Sequence, residues 1–426
     1  MSRMRWRPLT PTWSRRLLTR RPTRLSTSPL RPAIAPSDCR GLPRASVVRR
    51  PSPPTVSTSW VSPNSRATSR PAPPRPHSAV LSTALRTPIA GDTWHGEVPV
   101  TRLPSWPMPG YSDVAISLVG HRRLSAILRE IAPDVVHLAS PFVVGVPAVR
   151  AARGLDIPVV AAFQTDVAGF ASRYGLGVAD ALVWRRLRRI HGASDLTLAP
   201  SSPTIHALKA HDVPRIEFWP RGVDAECFSP VHRDEVLRAA WTEGRDDVVV
   251  GYVGRVAAEK EVEQLAVLAD LPGVTVVVVG DGPARSNLER LIPAGVFTGF
   301  LHGDELSRAV ASLDVMVHTG RFETFCQSVH EALASGVPVV APASGGPLDL
   351  VTPSRTGWLY PPGDEQALKE HVRDLAGDQF KRHAMGVAAR QSVEGRSWCA
   401  VMTQLEQYYA QVVAARSPAS AVRGSA

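Results

Sequence analysis

Hydrophobic and polar positions alternate in blocks along most of the chain, and these blocks predict strands and helices in turn. Apolar runs of the length that fills a buried parallel strand lie at 134–138, 157–163, 195–199 and 215–219. Segments with helical spacing lie at 112–131, 144–154, 177–192 and 202–211. Such alternation predicts a parallel sheet covered by helices on both faces.

The same pattern starts again at 247–253. Further apolar runs lie at 274–279, 295–298, 314–318, 337–341 and 357–360. Helical spacing recurs at 259–270, 284–291, 304–312, 325–335 and 364–376. Two such sheets in tandem predict an α/β protein with two Rossmann-like domains facing a cleft. Doubly wound folds bind ligands at the carboxyl ends of their strands, so the cleft is the expected site.

The expected domain boundaries follow from the same pattern. Residues 93–230 form an N-terminal Rossmann-like domain, and residues 247–396 form a C-terminal one. A charged stretch at 231–246 is interpreted as the linker between them. The chain then ends in an amphipathic helix at 397–416 and a tail at 417–426.

The first 92 residues do not resemble a folded domain. Residues 1–90 contain sixteen Pro and seventeen Arg, no Lys, and Asp38 as the one acidic residue. Neither a helical nor a strand period persists there, and the apolar content is too low to offset the entropy of ordering. Three interpretations stay open: an out-of-frame or wrongly started translation, a transit peptide, and a disordered anion-binding tail.

Charge and cysteine content exclude several classes of protein. The first 90 residues carry a formal charge of +16 and the whole chain +11, so the remainder is acidic. A uniformly basic nucleic-acid-binding domain is therefore excluded. No run is long enough for a transmembrane helix, and we expect no secretory signal because the N-terminus lacks an apolar run. We expect a cytoplasmic protein, associated with the inner face of the membrane. The cysteines form no CxxC pair, which excludes a zinc ribbon; they are Cys39, Cys227, Cys326 and Cys399.

The first candidate motif, Gly251-Tyr-Val-Gly-Arg-Val-Ala-Ala-Glu-Lys260, carries a strand into a glycine turn and a helix start. Gly254 lets the backbone approach a ligand, and a helix N-terminus favours anions. Arg255 and Lys260 add two cations beside it. The motif predicts a diphosphate site built without metal; the alternative is an ordinary turn with solvated charges.

The second motif, Val279-Gly-Asp-Gly-Pro283, ends another predicted strand. Gly280 and Gly282 permit close approach of a nucleotide, although a plain turn fits equally well. A further glycine turn follows the strand at 337–341 and either lines the same cleft or simply connects two elements.

The third motif holds a pair of carboxylates. Glu323 comes just before a predicted helix and Glu331 lies eight residues later, about two helical turns along. The free backbone N–H groups of Thr324, Phe325 and Cys326 are expected to point at whatever Glu323 contacts. Carboxylates pair well with sugar hydroxyls. The alternative is that Glu323 only offsets the helix dipole and Glu331 is solvated.

In order and spacing, these motifs resemble glycosyltransferase family 4, which has the GT-B fold. There a G-R-x(4)-K phosphate site, a V-G-x-G-P turn and an E-x(7)-E pair precede a G-x-P-V-V strand. The resemblance covers residues 93–415. Segments 163–170, 221–224 and 323–327 look like the actinobacterial GDP-mannose-dependent α-mannosyltransferases that act on glycolipids.

The resemblance implies a nucleotide-sugar donor, GDP-mannose, a glycolipid acceptor and no cofactor. It places Arg255 and Lys260 on the donor diphosphate, Glu331 on the ribose hydroxyls and Glu323 on the transferred hexose. Phe300, just past the strand at 295–298, is expected near the base.

On the first domain, the resemblance places Gln164 and Asp166 in the cleft, towards the acceptor and the donor sugar. Many relatives have His at the position of Gln164. Because a glutamine cannot act as a base, the leaving phosphate is expected to take the acceptor proton, and the product keeps the α configuration.

One departure from the family pattern affects activity. The family's first domain opens with a strand and a Gly-rich loop, and we find neither in the Arg- and Pro-rich stretch. We therefore expect a chain that binds nucleotide but is weakly active or inactive. A non-catalytic remnant, a frameshifted gene model and a nucleotide-sugar 2-epimerase are the rival interpretations.

Three remaining features carry weaker expectations. His318 and His330 bracket the acidic pair, but we find no third ligand spaced for zinc. Cys326 is expected to have a packing or backbone role. The basic run Arg185-Arg-Leu-Arg-Arg-Ile190 either meets anionic lipid or is a solvated face.

Overall fold

The computed structural model describes residues 55–57, 78–84, 94–95, 98–108, 111–139, 141–165 and 180–416. Side chains before residue 101, at 102 and at 107–115 are not described. Residues 48–426 belong to one compact unit.

A parallel sheet forms the core of the first domain, in the order β10-β9-β8-β7-β1-β2-β4, with β3 antiparallel at the edge beside β4. A separate hairpin joins β5 and β6. The strands are β1 (Thr55–Ser57), β2 (Ser78–Ala84), β3 (Trp94–His95), β4 (Val98–Pro104), β5 (Trp106–Met108), β6 (Tyr111–Ile116), β7 (Val135–Leu138), β8 (Val159–Ala162), β9 (Leu196–Ala199) and β10 (Ile216–Phe218).

The second domain has a six-stranded, wholly parallel sheet in the order β13-β12-β11-β14-β15-β16. Its central strands are runs of Val with both faces buried, as a doubly covered parallel sheet requires. The strands are β11 (Val248–Val253), β12 (Val274–Val279), β13 (Val296–Gly299), β14 (Val315–Val317), β15 (Val339–Pro342) and β16 (Gly357–Tyr360). Two parallel Rossmann-like sheets in tandem confirm the predicted fold class.

Helices connect the strands of both sheets. In the first domain they span His121–Ile131, Gly145–Arg153, Asp180–His191 and Ser202–Ala210. In the second they span Glu235–Thr242, Arg285–Leu291, Gly303–Ala311, Gln327–Ala334, Pro347–Leu350, Glu365–Ala376 and Gln379–Ser392, and a C-terminal helix follows at Trp398–Arg416. Short 3-10 helices lie at Pro230–His232, Ala258–Lys260 and Val262–Leu268. Among the helices of these described ranges, none is long and apolar enough to cross a membrane.

Two predicted helices were wrong in part. The segment 112–131 begins as β6, paired antiparallel with β5, and becomes helical only from His121. The segment 259–270 forms two 3-10 helices instead of one α-helix. Glu261 lies between them with φ 51°, a left-handed conformation that interrupts an α-helix.

The segment predicted as a linker, 231–246, contains a helix that belongs to the second domain. Asp234 caps Glu235–Thr242 by accepting hydrogen bonds from two backbone N–H groups. Trp241 is buried, and Arg238 pairs with Asp314 at 2.8 Å. The helix Gln379–Ser392, which the sequence reading passed over, packs against the helix Gln327–Ala334.

The first sheet starts before the predicted boundary at residue 93. β1 and β2 lie inside the Arg- and Pro-rich stretch, and β1 pairs in parallel with β7 and β2 near the centre of the sheet. The expectation that this strand is missing is thereby corrected. Its sequence, Thr-Val-Ser, includes β-branched residues that favour strands. Residues 58–77, where the glycine loop is expected, lie outside the described residues; their sequence contains no glycine.

The C-terminal helix, Trp398–Arg416, returns to the first domain. Leu405 and Val412 pack on Val135 and Val160 of its sheet. Tyr409 hydrogen-bonds the His137 ring at 2.9 Å. The chain thus crosses between the two domains twice.

Candidate active site

A cavity of about 280 Å³ lies between the two domains. Loops after the strands of both sheets contribute to its wall, as the doubly wound topology predicts. The lining residues are Gln164, Arg221, Lys260, Glu323, Thr324, Phe325, Cys326, Gln327 and Ser328. Two cations, one carboxylate and several hydrogen-bonding groups therefore converge on one space.

Lys260 and Glu323 are in direct contact inside this cavity, Nζ donating to Oε1. They come from different loops, Lys260 from the turn after β11 and Glu323 from the loop after β14. Thr319 Oγ1 donates to the Lys260 carbonyl at 2.7 Å, so the two loops are also tied through the backbone. The structure thus brings together two residues predicted from separate motifs.

The charges in the cavity stabilise one another. Burial raises the pKa of Glu323, but His318 and Lys260 outweigh it and lower that pKa to about 2. Burial lowers the pKa of Lys260, yet Glu323 outweighs it and leaves the pKa above its ordinary value. The pair is therefore an ammonium and a carboxylate at neutral pH. Such a pair can offer the ammonium to phosphate and the carboxylate to hydroxyl groups.

Two glycines of the loop after β15 hold the Glu323 loop in place. The N–H of Gly346 donates to the Glu323 carbonyl at 2.8 Å. A Cβ at Gly345 would overlap the Glu323 carbonyl, and one at Gly346 would overlap the carbonyl of Phe325. The predicted second glycine turn therefore supports the site through close backbone packing.

The turns at Gly254 and at 280–282 pack against each other. Gly254 N–H donates to the Val279 carbonyl at 3.0 Å, and a Cβ at Gly280 would overlap the Gly254 carbonyl. A Cβ at Gly282 would overlap the carbonyl of Val256. Gly280 has φ 141°, a backbone conformation that residues with a side chain rarely adopt. These contacts explain the glycines by loop packing, while the donor contacts predicted for all three stay predictions.

Glu331 lies on the helix Gln327–Ala334 and is not among the described residues that line the cavity. Burial raises its pKa to about 7, and a hydrogen bond with Gln327 opposes this. Such a half-buried carboxyl can accept hydrogen bonds from a diol at neutral pH. Its predicted place on the ribose stays a prediction.

Hydrogen bonds join the domains at the cavity. Thr324 Oγ1 donates to the Gln164 carbonyl at 2.8 Å. Arg221, within the first domain, donates to Gln164 Oε1 at 3.2 Å. Gln327 donates to the Gly222 carbonyl at 3.1 Å. The residues after Glu323 thus contact the first domain directly.

Arg221 lines the cavity, although the sequence motifs predicted no role for it. Burial lowers its pKa and the nearby Glu323 carboxylate raises it, so both groups share one electrostatic environment. The sequence signal for Arg221 is the segment Arg221-Gly-Val-Asp224, which is one of the segments that carry the family resemblance.

Cys326 begins the Glu331 helix with φ 75°, an uncommon conformation for a residue with a side chain. One ring nitrogen of His318, a carboxylate oxygen of Glu323 and the sulfur of Cys326 lie within 4.8 Å of one another. This group differs from the His318 and His330 pair considered from the sequence, because His330 is not part of it, and the expectation that the site holds no metal stays a prediction. Sequence spacing missed the cluster because the helix start folds Cys326 back towards β14.

Two family models match the chain, Glycosyltransferase Family 4 over residues 72–226 and Glycosyl transferases group 1 over residues 234–392. A GDP-mannose-dependent alpha-mannosyltransferase of Mycolicibacterium smegmatis is 48% identical over 343 residues, covering 79% of this chain and 90% of that protein. A protein of the same name from Mycobacterium tuberculosis is 46% identical over 329 residues, covering 77% and 85%. The chain belongs to glycosyltransferase family 4. It is a glycosyltransferase of the GT-B fold.

Solved structures support this fold. The Anabaena protein HepE in complex with UDP is similar with a TM-score of 0.64 at 19% identity, covering 84% of this chain and 99% of that chain. The match of the first family model from residue 72 includes β2, in line with a sheet that starts before residue 93.

Three residues predicted for the glycosyltransferase site lie apart from the cavity or cannot be placed. Arg255 is half-exposed and lies 3.6 Å from Glu259; it is absent from the described lining. Phe300 is 76% exposed in the loop after β13. Asp166 lies outside the described residues. The expected roles of all three stay predictions.

Proposed function

We propose that this glycosyltransferase moves mannose from GDP-mannose to a lipid-linked acceptor, with retention of the α configuration and without a metal ion. Relatives named GDP-mannose-dependent alpha-mannosyltransferase, from three organisms, are 42%, 46% and 48% identical to it. A Corynebacterium glutamicum protein named as a GDP-mannose-dependent mannosyltransferase of a phosphatidylinositol monomannoside is 30% identical over 233 residues. These names support the donor and the lipid acceptor.

The observation that carries the proposal is the Lys260–Glu323 contact within a cavity that both domains line. In the proposed complex, Lys260 turns its ammonium to the donor diphosphate and stabilises the charge that develops on the leaving group. Glu323 accepts hydrogen bonds from sugar hydroxyls, and the amides after it orient the hexose. The ion pair between Lys260 and Glu323 holds both side chains at the cavity, where each can exchange its partner for a part of the donor.

Retention follows from the acceptor side of the cavity. We assign Gln164 to that side; it is hydrogen-bonded to Arg221, and an amide takes up no proton. The acceptor proton therefore passes to an oxygen of the leaving phosphate, on the face from which the diphosphate departs. Attack on that same face keeps the α configuration.

A basic helix face supports contact with anionic lipid. The helix Asp180–His191 exposes Arg185, Arg188 and Arg189, while Val183 and Leu187 pack inwards. Each exposed cation near an anionic membrane surface is worth about 1 kcal/mol of attraction. In our proposal this face brings the cleft to a lipid-linked acceptor.

We also propose that the chain turns over slowly. The sequence between β1 and β2 contains no glycine and therefore lacks the glycines of the family pattern. The second domain, which holds Lys260, Glu323 and Glu331, is complete in its sheet and keeps its affinity for nucleotide.

The test is a panel of radiolabelled nucleotide sugars incubated with the protein and a membrane lipid extract. We expect label from GDP-mannose in the organic phase, and its loss in Lys260→Met. Lys369→Met, which breaks a surface pair with Asp270, is the matched control and keeps transfer. Epimerised donor without transfer would instead support the 2-epimerase, and donor binding without any product would support a non-catalytic remnant.

A further inference from the structure

We propose that the cluster of His318, Glu323 and Cys326 is an inhibitory site for a thiophilic divalent cation of the zinc class. The three residues offer a nitrogen, an oxygen and a sulfur ligand within 4.8 Å of one another. This is the donor set that zinc prefers, and three protein ligands leave a fourth position open. The proposed transfer reaction needs no metal, so a metal bound here inhibits the enzyme and takes no part in catalysis.

The surroundings of His318 point to a missing ligand. The His318 side chain is 2% exposed, and neither ring nitrogen has a partner in hydrogen-bond geometry among the residues that the structure describes. Buried polar atoms without partners are uncommon in folded proteins. Nε2 lies 3.5 Å from Glu323 Oε1, too far for a good hydrogen bond but within reach of a shared cation.

The protein already stabilises positive charge at this point. Lys260 contacts Glu323, the carboxylate that a cation would bind. A zinc ion takes over that place: bonds form from the metal to nitrogen, oxygen and sulfur. The imidazolium and the thiol each release one proton to solvent, and the ring binds through the freed nitrogen while keeping its other N–H. Lys260 then swings away on its flexible side chain, since a divalent ion beside an ammonium is unfavourable.

Inhibition follows because a bound metal makes Glu323 and Lys260 unavailable to the donor. Glu323 becomes a metal ligand and can no longer accept hydrogen bonds from sugar hydroxyls, and Lys260 leaves the diphosphate position. Only this consequence rests on the proposed function. Metal binding itself is independent of it and can be measured without turnover.

Cobalt(II) alone is the probe, because a cobalt–thiolate bond gives a charge-transfer band in the near ultraviolet. The main sample is a C39S/C227S/C399S variant, in which Cys326 is the remaining cysteine. We expect the band to saturate at one equivalent in this variant and in the natural chain. Cys326→Ser should abolish it, and His318→Gln should weaken cobalt binding by an order of magnitude or more. Thermal unfolding of both variants establishes that they fold.

The same samples separate binding from inhibition. With turnover established, micromolar zinc should stop transfer reversibly, and a chelator should restore it. A chain that shows the band but no turnover with any donor contradicts the proposed function and leaves the metal site standing. Absence of the band in the single-cysteine variant, or its persistence in Cys326→Ser, would overturn the inference.

Discussion

The pH dependence of stability is a direct physical consequence of the Glu323 environment. Burial raises the pKa of Glu323, but His318 and Lys260 outweigh it and take the pKa from 4.5 to about 2. One pKa unit is worth about 1.4 kcal/mol, so this lowering corresponds to about 3 kcal/mol. The side chain is only 15% exposed, and solvent screening therefore reduces the value little.

The sign of the effect follows from linkage. Because the folded pKa lies below the unfolded value, the carboxylate stabilises the fold fully above about pH 5. The contribution is lost as the pH falls from 4.5 towards 2, and about 2 kcal/mol of it is gone at pH 3. Glu323→Gln has no titrating group at this position and lacks this dependence.

The assay is urea unfolding of the natural chain and of Glu323→Gln between pH 7 and pH 3, followed by tryptophan fluorescence. We expect the stability advantage of the natural chain over the variant to shrink by about 2 kcal/mol on acidification. A difference that stays constant across this range would refute the reasoning. Glu331→Gln is the matched control, because the pH effect of Glu331 has the opposite sign. Burial raises the pKa of Glu331 to about 7, so the natural chain loses stability at this position as the pH rises from 4.5 to 7, and the variant does not.

Three further predictions concern single side chains. Lys260→Met lowers kcat by about 10²–10³-fold because it removes a charge that stabilises the leaving group; steady-state kinetics check it, and a change in KM alone contradicts it. Gly346→Ala costs about 2 kcal/mol in thermal unfolding because its Cβ overlaps the Phe325 carbonyl. Gly120→Ala, with open space around its Cβ, is the neutral control. Arg221→Lys keeps the charge but loses the planar guanidinium that reaches Gln164, so transfer falls more than thermal stability.

The fold could be predicted from sequence because buried parallel strands leave a clear signal. The Val-rich runs of β11 and β12 are apolar at nearly every position, as is typical of strands covered on both faces. Propensity failed where a tertiary contact decides the conformation. Glu261 adopts a left-handed conformation that divides a segment of helical spacing into two 3-10 helices.

The linker and the first strand were missed for a different reason. Glu235–Thr242 is a short, charged helix whose fixed place comes from Arg238 and Asp314, 76 residues apart in the chain. A three-residue strand such as β1 is too short for any period to appear, and it is defined by pairing with β7. Long-range pairing leaves no trace in a local pattern.

The candidate site, like the fold, could be predicted from the sequence only in part. Lys260 and Glu323 were predicted from motifs, and the structure joins them. Arg221 and the cluster around His318 were missed, because their convergence depends on how three loops fold towards one cavity. Residue type identified the chemistry at single positions, whereas the partners of each group required the structure.

The central claim is that Lys260 and Glu323 bind opposite parts of one nucleotide-sugar molecule. Calorimetric titration of GDP and of GDP-mannose into the natural chain, Lys260→Met and Glu323→Gln tests it most directly. We expect Lys260→Met to weaken both ligands, and Glu323→Gln to weaken GDP-mannose while GDP binds as before. Binding of both ligands unchanged in Lys260→Met would contradict the account.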